Sequence, residues 1–305
     1  MNNFDEVLYP EIQSKFEELD KIKKEEKEQR KAEYIKNHPE HLESKDQKKG
    51  YKKLKAKERN YNRRQKEKEK IYQKVKDMTK EEKEKFYDNY YLEKEVSKKR
   101  IKEDLQNAYN SNFIICFDLD YDIYMDKKEI KSLALQLSIC YTLNKSNKTK
   151  INYYFTNIKQ ELKDELNKNN ADKWRVHYDE KPFYLIEELI NLKKEFIYLS
   201  PDAEEDLEDV SEDKIYIIGG LVDRQVIKNR SIIRFNNIKN NENKEIQIVA
   251  KRLPLQKYLD NINNSILNVN TVAEILSLYM DMEKDKKDWK KALECALPKR
   301  KIENK

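Results

Sequence analysis

Hydrophobic positions follow two different patterns along the chain. Up to about residue 111 they are sparse, scattered among Lys, Glu, Gln and Arg. Those residues favour helix, and the few apolar side chains cannot build a core of their own. Thr79-Lys-Glu-Glu82 has capping-box spacing and predicts a helix running toward Arg100. From Asn112 onward, short apolar runs alternate with amphipathic stretches. Phe113–Asp118, Lys150–Thr156, Glu195–Ser200, Lys214–Gly219 and Gln247–Leu253 read as strands. Lys127–Leu143 has helical periodicity through Ile130, Leu133, Ala134, Leu137 and Tyr141. Tyr184–Leu192 and Thr271–Met282 also read as helices, and the acidic run Asp202–Glu212 as a short one. Asn236–Lys244 reads as a low-complexity, exposed loop without a catalytic role.

Strands alternating with helices predict an α/β fold, a mostly parallel sheet covered on both faces. Such sheets bind ligands at the carboxyl ends of their strands. The segments to inspect therefore begin at Asp118, Ser200, Gly219 and Leu253. The pattern divides the chain into a helical or partly disordered extension, residues 1–111, and a globular domain, residues 112–305.

Charge sharpens that division. The 305 residues carry a formal net charge of +6. Residues 1–111 hold 31 basic and 25 acidic residues, so the whole excess lies there. Between Lys45 and Lys76 there are 15 basic and 4 acidic residues. Two readings stay open: a solvated charged helix, or an arm that contacts phosphates. On the second reading Lys48, Lys49, Lys52, Lys53, Lys55, Lys57, Arg59, Arg63 and Arg64 bind nucleic-acid backbone without reading sequence.

Composition excludes several function classes. The longest apolar stretch, near Ile215–Val222, is far short of the roughly 20 residues of a membrane-spanning helix. Cys116, Cys140 and Cys295 have neither zinc-ribbon nor redox spacing and are expected to be packing residues. His38, His41 and His177 cannot form a His-rich metal site, so no metal is expected. Met1–Glu11 lacks the character of a secretory or mitochondrial leader, which favours a nuclear or cytoplasmic location.

Only three glycines occur, and two are adjacent, in Ile218-Gly219-Gly220-Leu221-Val222-Asp223-Arg224. Paired glycines after a strand permit a tight turn and a close ligand approach. The segment has neither dinucleotide-fingerprint nor P-loop spacing. Asp223 suits either a helix cap or a chemical role.

Taken with Glu195–Ala203, Lys214–Arg224, Ala250–Leu255, Leu267–Asn270, Asp288–Ala292 and Pro298–Lys301 in that order, the chain closely resembles the tRNA position-9 N1-methyltransferases of the SPOUT superfamily. The resemblance covers about Asn112–Lys301 and extends to Phe117–Asp122, Lys131–Leu133, Gln136 and Tyr141. It implies a C-terminal trefoil knot formed by loops after the late strands. It also implies S-adenosylmethionine as methyl donor, tRNA as partner, action as a monomer, and methylation of a purine N1, usually guanine. It assigns Leu199, Ser200, Gly219, Leu253, Leu267, Val269, Asn270 and Thr271 to the cofactor. It assigns Asp223 as the candidate base that removes the guanine N1 proton. Asp118, Asp122 and Gln136 match positions near the expected tRNA face, and Gln136, Arg224 and Lys228 are assigned to RNA. Where relatives commonly read Asp-Arg-Asn-Arg this chain reads Asp223-Arg-Gln-Val226, and Ile139 stands where a basic residue is usual. Those departures leave two alternatives: a catalytically inactive RNA-binding subunit of a tRNA-processing complex, or an adenine N1-methyltransferase.

Overall fold

The structure is a computed structural model that describes residue 29 and residues 45–223, 229–240, 246–259 and 266–298, apart from the side chains of 45–49, 51 and 52. The chain forms two compact units, residues 1–91 and 92–305.

In the first unit, helix α1 (Lys45–Val75) carries the basic run. Helix α2 (Lys80–Tyr109) starts in this unit and ends in the second. The predicted capping box forms: Thr79 N donates to Glu82 Oε2 at 2.8 Å, and Glu82 N to Thr79 Oγ1 at 3.3 Å.

The second unit is a six-stranded sheet. Its strands are β1 (Ile114–Asp118), β2 (Asn152–Thr156), β3 (His177–Tyr178), β4 (Glu195–Leu199), β5 (Lys214–Gly219) and β6 (Ile248–Lys251). The order is β3-β2-β1-β5-β4-β6, and every pairing is parallel. Successive residues point to opposite faces, and both faces are covered. Ile115, Phe117, Tyr153, Phe155, Tyr216 and Ile218 face one core. There they meet α3 (Lys127–Leu143), α4 (Gln160–Asn167), α8 (Val269–Met280) and α9 (Trp289–Ala296). Ile114, Cys116, Tyr154, Tyr198, Ile215 and Ile217 face the other, against α5 (Glu187–Asn191) and α6 (Arg230–Asn240). Burial on both faces explains why these strands read as continuous apolar runs. The short α7 (Leu255–Tyr258) follows β6.

Local chemistry sets the element ends. Asp126 caps α3, accepting from Lys128 N at 2.7 Å and Glu129 N at 2.8 Å, and Glu129 closes the box. The end of α2 is tied to the sheet edge by His177, whose ring stacks between Tyr109 at 4.0 Å and Tyr154 at 4.1 Å.

Three expectations are corrected. Asp202–Glu212 is not helical, because its backbone pairs with the chain after β6: Arg252 N donates to Glu205 O at 2.9 Å, and Leu207 N to Arg252 O at 2.8 Å. Asn236–Asn240 is not loop but the last part of α6, held by buried Phe235 and Ile238 at helical spacing; residues 241–244 lie outside the described residues. Cys116 and Cys140 are buried packing residues, whereas Cys295 is exposed on α9. Among the described residues no helix is long and apolar enough to cross a membrane, and no His/Cys/Asp/Glu cluster could hold a metal.

The adjacent glycines serve crowding rather than an unusual turn, since neither has a positive φ. Gly220 N donates to Asp118 O at 2.7 Å, so the exit of β5 lies directly over the exit of β1. A Cβ on Gly220 would stand 2.5 Å from Leu119 Cδ2, and one on Gly219 3.2 Å from the Tyr121 ring. Gly220→Ala should therefore destabilise the fold by about 1–3 kcal/mol, and more than Gly219→Ala. Urea unfolding of both variants checks this; a Gly220→Ala variant as stable as the native chain contradicts it.

Candidate active site

A cleft opens at the carboxyl ends of β5, β4 and the segment after β6. The strand ends supply Leu199 and Gly219, the loops beyond the strands Ser200, Asp202, Asp223 and Leu253, and the start of α8 with the residues before it Val269 and Leu267. Leu199, Ile218, Leu253, Leu255, Leu267 and Val272 give it apolar walls, while Asp202, Asp223, Arg230 and Gln256 add polar groups. That mixture suits a ligand with a flat apolar part and a polar or charged tail.

The wall is braced by hydrogen bonds. Ser200 and Ser231 share one at 2.8 Å, and Ser200 Oγ accepts from Asp202 N at 3.2 Å. Asp202 in turn accepts from Asn229 N at 3.0 Å. These contacts join the end of β4 to the start of α6.

Behind the cleft lies a buried charge cluster. Asp118, the last residue of β1, is fully buried. Arg234 Nε donates to its Oδ2 at 3.0 Å and Nη2 to its Oδ1 at 3.3 Å, a two-pronged pairing. Arg234 Nη1 also meets Asp120 Oδ2 at 2.7 Å. Tyr198 donates to Asp118 Oδ2 at 3.1 Å and, its proton committed, accepts from Tyr121 at 2.7 Å. Burial pushes both tyrosine hydroxyls well above their ordinary range, so they stay protonated donors. Burial opposes the charge on Arg234, and the bonds to Asp118 and the charges of Asp118 and Asp120 outweigh it, holding the guanidinium charged.

Asp223 sits at the cleft with 12% of its side chain exposed, 3.6 Å from Arg230 Nη1. Arg230 is itself held against Tyr124, its Cζ 4.6 Å from the ring centre and its Nη1 3.4 Å from the Tyr124 carbonyl. Arg230 and Arg234 are four residues apart on α6 and share one face of it.

The predicted site residues separate accordingly. Asp223, Leu199, Ser200, Gly219, Leu253, Leu267 and Val269 all line the cleft. Asn270 and Thr271 stand in the first turn of α8, off the lining. Gln136 is not on an open RNA face: it is buried, and its Oε1 accepts from Val269 N at 2.9 Å, capping α8 from α3. Asp118 is likewise interior rather than at a tRNA face, because Arg234 and Tyr198 consume its oxygens. Lys53, Lys55, Lys57, Arg59, Arg63 and Arg64 are exposed on α1. Lys48, Lys49 and Lys52 belong to the same helix, with side chains outside the described residues. Arg224, Gln225, Val226 and Lys228 also lie outside the described residues, and Ile139 is 40% exposed on α3. Sequence reading missed Arg230, Ser231 and Arg234. The one available signal was the apolar spacing of Ile232, Phe235 and Ile238, which marks a helix and so puts Arg230 and Arg234 on a common face.

Residues 40–302 match the family model described as tRNA (guanine(9)-N(1))-methyltransferase TRM10/TRM10A. The chain belongs to this family. Among its relatives is the tRNA (guanine(9)-N1)-methyltransferase of Schizosaccharomyces pombe, 34% identical over 67% of this chain and 63% of that protein. Another is tRNA methyltransferase 10 homolog B of Danio rerio, 32% identical over 68% of this chain and 65% of that protein. The match thus spans somewhat less than two thirds of these relatives' lengths. Among solved structures, full-length spTrm10 in complex with SAH superposes with a TM-score of 0.51 at 31% identity, covering 62% of this chain and 96% of that one. The spTrm10(74) structure gives 0.53 at the same identity. The parallel sheet with helices on both faces is therefore the fold of the Trm10 SPOUT enzymes.

The buried cluster gives a stability test. Arg234→Met leaves Asp118 without its cation and should cost roughly 3–5 kcal/mol. Lys163→Met, which removes an exposed pair with Glu180 at 3.7 Å, should cost no more than about 1 kcal/mol. Equal losses in urea titrations of the two variants would be inconsistent with a buried, paired Asp118.

Proposed function

We propose that this protein is an S-adenosylmethionine-dependent tRNA methyltransferase that forms 1-methylguanosine at position 9, with Asp223 as general base. The observation that carries this reading is the presence of Asp223 in the same cleft as Leu199, Ser200, Gly219, Leu253 and Leu267. The relative crystallised with SAH, the compound left once the methyl group has gone, supports the choice of donor.

The residues fit that donor. Leu199, Leu253, Leu267 and Val269 would hold the adenine between apolar walls, with backbone groups after β4 and β5 meeting its polar edges. When bound, S-adenosylmethionine supplies an electrophilic methyl group. Guanine N1 carries a proton, and its lone pair becomes available only when a base takes that proton. Asp223, which lines the cleft, is the group proposed to accept it. Gln136 is proposed to act by positioning: by capping α8 it fixes Val269 at the cleft wall.

The exposed cations of α1 are proposed to hold the tRNA backbone. The resemblance implies a trefoil knot made by loops after the late strands. We further propose a monomer acting in the nucleus or cytoplasm.

Asp223→Asn should lower methyl transfer to guanosine-9 by roughly 10²–10⁴-fold while SAH affinity, measured by calorimetry, holds. Undiminished turnover removes Asp223 as the base; a native protein that binds no SAH removes the methyltransferase assignment. Replacing Lys53, Lys55, Lys57, Arg59, Arg63 and Arg64 with Gln should weaken tRNA binding. It should also flatten its log–log salt dependence by about 0.9 for each phosphate no longer neutralised. Filter binding between 50 and 200 mM salt (a range of roughly 10³–10⁵ in affinity for such an interface) measures both.

A further inference from the structure

We propose that Arg230 is the residue that selects guanine over adenine, by donating to guanine O6 beside the proton that Asp223 removes. This rests on the methyltransferase reading and adds a specificity determinant to it.

Four charged side chains line the cleft among the described residues: Asp202, Asp223, Arg230 and Arg252. Arg252 is committed elsewhere, its Nε to Asp206 at 2.6 Å and its Nη1 to the Ala203 carbonyl at 3.3 Å. Asp202 is exposed and braces Asn229. Arg230 and Asp223 stand side by side at the cleft as a cation and an anion, 3.6 Å apart and only 18% and 12% exposed. Their order is that of two adjacent atoms on one edge of guanine. O6 accepts and N1 donates, so O6 meets the guanidinium and N1–H meets the carboxylate. Adenine reverses both atoms, with a donating 6-amino group and an N1 that already has its lone pair. It would leave the guanidinium facing a donor and the carboxylate facing a lone pair.

The same placement serves the reaction. The N1–H bond breaks, the proton passes to Asp223, and the electron pair spreads over N1 and O6. N1 then bonds the methyl carbon as the carbon–sulfur bond opens, and that bond's pair returns to sulfur. A fixed cation at O6 stabilises the charge that develops there, in a site withdrawn from water. Arg230 is pre-set for this: the Tyr124 ring and carbonyl hold one side of it. The helix that bears it is anchored a turn later by Arg234 on Asp118.

The test uses the full chain and tRNAs carrying guanosine, inosine or adenosine at position 9, with Arg230→Met and Arg230→Lys beside the native protein. Inosine keeps O6 and N1–H but lacks the 2-amino group. Arg230→Met should slow guanosine and inosine alike by roughly 10²-fold and so raise the adenosine-to-guanosine rate ratio, with SAH affinity measured alongside. Arg230→Lys, which retains the cation, should recover a large part of the loss. A fall confined to guanosine would mean that the residue reads the 2-amino group. Faster guanosine turnover would mean that it restrains Asp223, and loss of SAH affinity in both variants would make it structural. Each of these overturns the inference while native activity stands. A native protein inactive on guanosine-9 overturns the proposed function as well.

Discussion

A carboxylate at the dry end of a parallel sheet must be answered by a cation and by donors, or the strand end cannot stay buried. Asp118 imposes that demand, and Arg234 and Tyr198 meet it. An ion pair of this kind adds little net stability compared with apolar packing, but breaking it by removing one partner is expensive. Its effect here is geometric. Arg234 can reach Asp118 only if α6 lies across the carboxyl ends of β1 and β4 at one rotation about its own axis. That rotation puts Arg230, four residues earlier, at the cleft, and Ser231 against Ser200.

The second wall depends on a different device. The helix α8 begins at the cleft, where its first amides need partners. Gln136, reaching from α3, supplies an acceptor for Val269 N. The two sides of the cleft are thus fixed by polar contacts that are very distant in sequence, while the apolar residues between them offer surface. Such division of labour suits the proposed site, which would bind a cofactor through shape and place one carboxylate accurately.

Much of the scaffold was legible in the chain. Lys214–Gly219 and Lys127–Leu143 emerge with the bounds their patterns predicted. The first is a continuous apolar run and the second has a long 3.6-residue period. Asp202–Glu212 misled because composition reports helix propensity, whereas its backbone found partners on Arg252, 46 and 47 residues from Asp206 and Glu205. Asn236–Asn240 misled because repeated asparagines masked the turn held by Phe235 and Ile238. At the site, the resemblance pointed to Asp223 and to eight residues for the cofactor, of which six line the cleft while Asn270 and Thr271 stand off it. The pairing of Asp118 with Arg234 spans 116 positions, and no local pattern reports on such a contact. The burial of Gln136 was hidden for the same reason, since its partner lies 133 positions away.

The three thiols found in the fold have a practical consequence. Cys116 and Cys140 are sealed inside the two cores, and burial pushes both thiols far above their ordinary range, so neither presents a thiolate to a reagent. Cys295 stands in solvent on α9, outside the cleft lining. The unaltered chain therefore carries a single addressable point for a maleimide dye. The proposed RNA binding could then be followed optically without substituting any residue.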